Sequence, residues 1–170
     1  CVMFHMIYLQ LLWTLVFCIC IGSNHALPKT KSSDIAVLED LYISTSGENW
    51  DYASMRESNN KYKLFYLNGV DWKFTRDAEK VDYIIDPCMP HKFQGINCTC
   101  DNSTCQILQL APASGNLIGT IPSSLGRLTD LNYLDLDTNQ LTSSIPSSLG
   151  DLTALQYLYL YNNQLTSSIP

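Results

Sequence analysis

The chain is predicted to be an α/β repeat solenoid, a stack of 24-residue coils that each contribute one parallel strand, closed at its N-terminal end by a disulfide-bonded cap. Three observations predict this. The dipeptide Ile-Pro recurs at Ile121-Pro122, Ile145-Pro146 and Ile169-Pro170, 24 residues apart each time. Two of the windows so defined keep the same apolar positions, Leu131, Leu134, Leu136, Leu141 and Ile145 in one and Leu155, Leu158, Leu160, Leu165 and Ile169 in the next. Four cysteines, Cys88, Cys98, Cys100 and Cys105, cluster just ahead of these windows. Repetition at such a period marks stacked units that present a surface, because one coil cannot bury its apolar face alone. An amphipathic helix is set aside: the leucines do not keep a 3.6-residue period, and helices do not carry proline at fixed interior positions.

The first segment, 1–26, has the composition of a secretory leader. Val2 to Ile21 contains no Lys, Arg, Asp or Glu, and the small residues Gly22, Ser23 and Ala26 follow it, so cleavage is expected between Gly22 and Ala26. An uncleaved anchor is the alternative, since about 20 apolar residues also span a bilayer. The chain opens on Cys1 and has no basic stretch before the apolar run, which places the true start at Met3, at Met6 or upstream. All 16 acidic and 10 basic residues lie after the leader and give a net charge of −6. No basic run is present to neutralise phosphates, which excludes nucleic acid as a partner.

Residues 27–105 are expected to form the cap, because the raw end of a solenoid would expose its apolar stack to water. Ser33 to Tyr42 reads as a short helix capped by Ser33 or Asp34, with Ile35, Leu38, Leu41 and Tyr42 on one face and Ser46-Gly47 as its breaker. Asn68-Gly69 lies between LFYL and VDWKF and predicts a β-hairpin with a tight turn. Trp50 and Trp72 are expected to seal the core of this small unit. The even number of cysteines in a secreted chain predicts two disulfides. Of the three possible pairings, Cys88–Cys98 with Cys100–Cys105 is preferred because each closes a short loop. Zinc held by these thiols and His91 is the competing reading, disfavoured by an oxidising compartment. Asn97-Cys98-Thr99 and Asn102-Ser103-Thr104 are both glycosylation acceptors, the first weakened by its cysteine.

Residues 106–170 are read as the repeats, left incomplete at Ile169-Pro170. Asn139 and Asn163 follow the Leu-x-Leu strands, where a side-chain amide can satisfy backbone groups left unpaired by the turning chain. Pro122 and Pro146 open a short turn that Ser-Ser-Leu-Gly completes, with Gly126 and Gly150 placed to end it.

These residues resemble the plant-type leucine-rich repeat family, whose consensus continues Asn-x-Leu-x-Gly-x-Ile-Pro after each strand. Gly119-Thr120-Ile121-Pro122 matches that signature, whereas Ser143 and Ser167 stand where the family has glycine, and Pro112 and Gly115 where it has leucine and asparagine. The helix with Leu41-Tyr42, then Trp50, Trp72, Pro87-Cys88 and Gly95-Ile96-Asn97-Cys98, is similar to the cap that precedes such repeats in receptor ectodomains, so the resemblance spans roughly Asp34 to Pro170. It implies a secreted or surface-tethered module that recognises a protein, peptide or glycan in signalling or defence, as in receptor-like kinases and receptor-like proteins. Alternatives are a soluble inhibitor of wall-degrading enzymes and a structural or adhesion matrix protein. It also implies that a membrane anchor or kinase could follow Pro170 in a longer chain.

Alternation along a strand, with leucines inward, turns Tyr133, Asp135 and Asp137 outward in one coil and Tyr157, Tyr159 and Tyr161 in the next. An acidic, aromatic ligand-binding patch is expected on that concave face, beside the smaller Gln109, Ala111 and Ala113. Asp135 and Asp137 would project roughly 6.5–7 Å apart, a separation compatible with paired carboxylates in glycoside hydrolysis. An open, wet face offers nothing to desolvate either acid, and the sequence has no nucleophile motif, phosphate loop or metal cluster. The chain is therefore not expected to be an enzyme, and no catalytic residue, metal or cofactor is assigned. Thr-Ser-Ser at 142–144 and 166–168 could instead form a hydroxyl array on the solenoid flank.

Overall fold

The computed structural model describes residues 28–61, 69, 71, 72, 74, 86–88, 93–167 and 169. The leader read at 1–26, most of the hairpin read around Asn68, and His91 lie outside these residues. No helix among the described residues is long and apolar enough to cross a membrane.

The described elements are β1 (Lys29–Thr30), α1 (Ser32–Ser44), α2 (Tyr52–Lys61), β2 (Ile96–Cys100), β3 (Thr104–Leu110), β4 (Ile118–Thr120), β5 (Tyr133–Asp135), β6 (Gln140–Thr142) and β7 (Tyr157–Tyr159). One five-stranded sheet runs β1, β3, β5, β7 in parallel, and β2 joins it antiparallel to β3. Leu110 pairs with Leu134 and Leu134 with Leu158, so each coil sets its leucine on the equivalent leucine of its neighbour. Leu131, Leu134, Leu136 and Leu141 are all buried, as the repeat requires. A second parallel pair, β4 with β6, was not anticipated; it puts Thr120 beside Thr142 on another side of the coil.

Asn139 performs the role expected of it. Its Oδ1 accepts the N–H of Gly115 and of Leu117 at 3.1 and 3.0 Å, and its Nδ2 donates to the carbonyls of Pro112, Leu136 and Asp137. Asn163 repeats the pattern one coil on, accepting from Leu141 N–H at 3.0 Å and donating to the carbonyls of Leu136, Leu160 and Tyr161. Pro122 and Pro146, at φ −74° and −63°, lead into short 3-10 turns at Ser123–Arg127 and Ser147–Asp151. These turns run one residue past the glycines that were expected to end them. Gly126 serves close approach instead: a Cβ there would stand 2.1 Å from the Ser148 carbonyl oxygen of the next coil.

Helix α1 is longer than expected, and its N-cap is Lys31, with no side-chain capping bond from Ser33 or Asp34. Asp34 is instead buried in the first turn and accepts Ser33 Oγ at 3.0 Å. The helix packs through Val37, Leu38 and Leu41, with Tyr42 half-buried beside them. Ser46, at φ 54°, breaks the chain as expected. Helix α2 was missed, although Asp51 marks its start: Ser54 N–H and Oγ donate to the Asp51 carboxylate at 3.0 and 2.6 Å. The helix seats Met55 against Gly115, where any Cβ would lie 2.1 Å from the Met55 methyl, and Asp51 N–H donates to the Gly115 carbonyl at 2.8 Å. The departure from asparagine at position 115 thus makes room for the cap.

Trp50 and Trp72 are buried in an aromatic cluster with Tyr42, Phe74 and Phe93, and both indoles are satisfied, donating to Thr45 and Gln94 carbonyls at 3.0 and 2.7 Å. The cysteines pair as preferred, Cys88 with Cys98 and Cys100 with Cys105. Both being oxidised, they provide no thiolates for a zinc site. Asp86 ties β1 to this knot, accepting Thr30 N–H and Cys88 N–H at 2.8 and 2.9 Å.

Candidate functional site

The strand registers place Tyr133 between Gln109 and Tyr157, and Asp135 beside Tyr159. Next along, Ser114 N–H donates to the Asp137 carbonyl and Thr138 N–H to the Tyr161 carbonyl, which continues the rows as Ala113, Asp137 and Tyr161. The residues expected on the concave face are therefore brought together. Tyr157, Tyr159 and Tyr161 are 53%, 36% and 51% exposed, and Tyr133 is half-buried. Their rings touch in a chain: Tyr133 lies 5.9 Å from Tyr157 and 5.6 Å from Tyr159, and Tyr159 lies 6.4 Å from Tyr161 in an edge-to-face arrangement. Four rings linked in this chain form a pre-ordered surface with a hydrogen-bonding tip on each. Ala111 and Ala113 are buried, so the first coil adds little to it.

The aspartates behave differently from the expectation of an acidic surface. Asp135 is 6% and Asp137 3% exposed. Their short side chains fold toward the backbone while the longer tyrosines extend past them. Asp137 N–H donates to Asp135 Oδ1 at 3.1 Å, Tyr133 Oη donates to Asp135 Oδ2 at 3.2 Å, and Thr138 Oγ1 donates to Asp137 Oδ2 at 2.7 Å. Asp137 Oδ1 is buried and has no hydrogen-bond partner. Desolvation, and then the facing Asp137 carboxyl, push Asp135 up to about 7, against the opposing pull of the Asp137 N–H and the Tyr133 hydroxyl. The face therefore does desolvate one acid, contrary to the reading of an open, wet strand. The perturbed group lies beneath the aromatic surface, and the sequence signal for this was the placing of two short acids in line with long tyrosines.

The other predicted positions lie on other strands and turns. Asn97 lies in β2, half-buried, its amide 3.4 Å from Gln109 Oε1. Asn102 is exposed in the turn where Asp101 Oδ1 accepts Ser103 and Thr104 N–H. Thr142 Oγ1 donates to the Gly119 carbonyl at 3.1 Å, which uses its hydroxyl within the solenoid. Among the described residues no three His, Cys, Asp or Glu side chains gather closely enough to hold a metal ion.

Residues 113–165 match the leucine rich repeat family model. The chain is 43% identical over 54 residues to a nodulation receptor kinase of Pisum sativum, an alignment covering 32% of this chain and 6% of that protein. Among solved structures it is similar to the ectodomain of the receptor kinase SOBIR1 from Arabidopsis thaliana, with a TM-score of 0.52 and 21% identity over 81% of this chain and 57% of that one. It is also similar to a chain of the BIR3–SERK2 complex from Arabidopsis thaliana, with a TM-score of 0.51 and 29% identity over 81% of this chain and 60% of that one. The chain thus spans less than two thirds of each of these three proteins. The first of these structures shares the fold; the repeat match, the receptor-kinase relative and the second structure agree with it in kind. The described residues form a leucine-rich repeat solenoid with two disulfides on its N-terminal side.

Proposed function

We propose that this chain is an extracellular recognition module, with a leader at 1–26, a cap at 27–105 and repeats at 106–170, whose concave tyrosine face binds a protein or peptide partner in signalling. The observation that carries the reading is the ring-to-ring contact of Tyr133, Tyr157, Tyr159 and Tyr161, three of them exposed, on a sheet held rigid by stacked coils. Tyrosine supplies broad contact area with little side-chain entropy to lose, which is why it dominates the centres of protein interfaces. A similar ectodomain, 29% identical, is seen in a complex of two proteins, and the pea relative bears the name of a receptor kinase. Both favour a binding role for the repeats over a catalytic one. The disulfides and the acceptor at Asn102 suit the extracellular side of a membrane.

A photo-crosslinking amino acid in place of Tyr159 tests this against one in place of Ser144, an exposed residue on the flank. Incubated with extracellular fluid of the source tissue, the Tyr159 variant is expected to capture a discrete protein or peptide that the Ser144 variant does not. Equal capture at both positions, or capture undiminished when Tyr157 and Tyr161 are changed to serine, overturns the assignment.

A further inference from the structure

We infer that the tyrosine row of the concave face, Tyr157, Tyr159 and Tyr161 with Tyr133 beside them, is the seat for a proline-rich segment of the partner, bound as a polyproline II helix. The inference rests on the concave face being the recognition surface and names the chemistry that surface selects. Length, relief, polarity and charge point the same way.

Tyr157, Tyr159 and Tyr161 stand two residues apart along β7 and its continuation, so the row spans about 13 Å. A polyproline II helix rises about 3.1 Å per residue with three residues per turn, so about four residues cover it. Lying along a surface, such a three-sided helix rests on two of its edges. Tyr133, packed 5.9 Å from Tyr157 and 5.6 Å from Tyr159, supplies rings for the second edge. The rings are tilted against one another, by 47° and 52° at Tyr133 and by 87° between Tyr159 and Tyr161. They therefore form ridges, and pyrrolidine rings suit the hollows between aromatic ridges.

Proline has no N–H, and a polyproline II helix makes no internal hydrogen bonds, so it offers a partner apolar ring surface and free carbonyl oxygens. Tyrosine is the matching residue, an apolar ring that ends in a donor. Among the described residues no group bonds to the Tyr157 or Tyr159 hydroxyl, which leaves both to donate to ligand carbonyls. Charge is withheld from the contact: Asp135 and Asp137, the acids of the two rows, are 6% and 3% exposed beneath the rings. A proline-rich segment carries no charge that would have to be desolvated there. Both sides are also ordered before they meet, the tyrosines by ring contact on a stacked sheet and the segment by proline itself, so little freedom is lost on binding.

The test is isothermal titration calorimetry of the full chain with a decaproline peptide, a flexible glycine-serine decapeptide and cellohexaose. Decaproline is expected to bind about tenfold or more tighter than the glycine-serine peptide, which has no rings to bury and must be ordered on binding. Its affinity should hold between about 0.05 and 0.5 M salt, since no charge is engaged. Tyr159→Ser should weaken it about tenfold, and Tyr159→Phe, which keeps the ring and loses the donor, by a smaller factor. Ser144→Ala on the flank should leave it unchanged. A melting scan identifies any misfolded variant, and the comparison of peptides reads the same question on wild-type protein. Equal binding of the two peptides, or decaproline binding untouched by Tyr159→Ser, overturns the inference, as does cellohexaose binding where decaproline does not. If decaproline fails while a crosslinker at position 159 still captures a partner, this inference falls and the recognition surface stands; if both fail, both fall.

Discussion

Asn139 and Leu117 are joined across one coil of the solenoid, the asparagine Oδ1 accepting the Leu117 N–H at 3.0 Å while its Nδ2 donates to three carbonyls. The Leu136 and Asp137 carbonyls also accept from Asn163 Nδ2 and Ser114 N–H, whereas the Gly115 and Leu117 N–H groups and the Pro112 carbonyl lie where the chain turns and rely on this amide. Removing the amide leaves several buried polar groups without partners, each costing about 1–3 kcal/mol. Asn139→Ala is expected to lower stability by about 3 kcal/mol or more. Asn163→Ala should cost less, because Asn163 is only half-buried and water can replace part of its network. Urea unfolding of the two variants should give clearly separated midpoints; equal midpoints would remove the asparagine ladder from the account of stability.

A second contrast follows from position in the stack. Leu134 is fully buried between β3 and β7, whereas Leu158 sits on the outermost described strand and is 44% exposed. Leu134→Ala should cost roughly 2–5 kcal/mol, the range for emptying a packed leucine site. Leu158→Ala should cost well under half as much, since much of that side chain already meets solvent. Chemical denaturation of both variants checks the ratio.

What could be read from the residues alone was whatever the repeat imposes more than once. Leu134 over Leu158, Asn139 and Asn163 at the turn, and Pro122 and Pro146 before it each occur twice in register, and repetition raises a weak local signal above noise. Helix α2 occurs once, and its sequence YASMRESNNK offers Met55 as its only long aliphatic anchor, so no apolar stripe announces it. Strands β4 and β6 are three residues each, too short for alternation to register. At the site, alternation correctly put Tyr133, Asp135, Tyr157 and Tyr159 on one face. It could not say that the aspartates would be buried, because side-chain length and packing decide that. Tyrosine reaches past aspartate on the same face, so the aromatic groups meet water and the carboxyls do not.

The two glycosylation acceptors should differ in use. Asn102 is exposed in a turn organised by Asp101, whereas Asn97 sits within β2, half-buried, its amide directed to Gln109 and its sequon interrupted by the disulfide-bonded Cys98. Intact mass of the protein expressed through a secretory pathway is expected to fall by most of its glycan in Asn102→Gln and hardly at all in Asn97→Gln. The opposite ranking would mean that glycan is attached before β2 and β3 pair.

Asp135 gives the chain a distinctive response to pH. Its carboxyl rises from an ordinary 3.8 to about 7 in the folded protein, so folding takes up a proton wherever the unfolded chain has already released one. The sign follows directly: the native state is favoured below the unfolded value, and that contribution is lost progressively as pH rises from near 4 through about 7, then stays lost. Asp135→Asn is a permanently neutral isostere of the protonated acid and should carry no such slope. Wild type should therefore unfold at lower urea concentration at pH 8 than at pH 5, with the difference between wild type and Asp135→Asn growing over that interval in favour of the variant. A difference that is constant with pH would show that the carboxyl does not change its charge beneath its tyrosines over this interval.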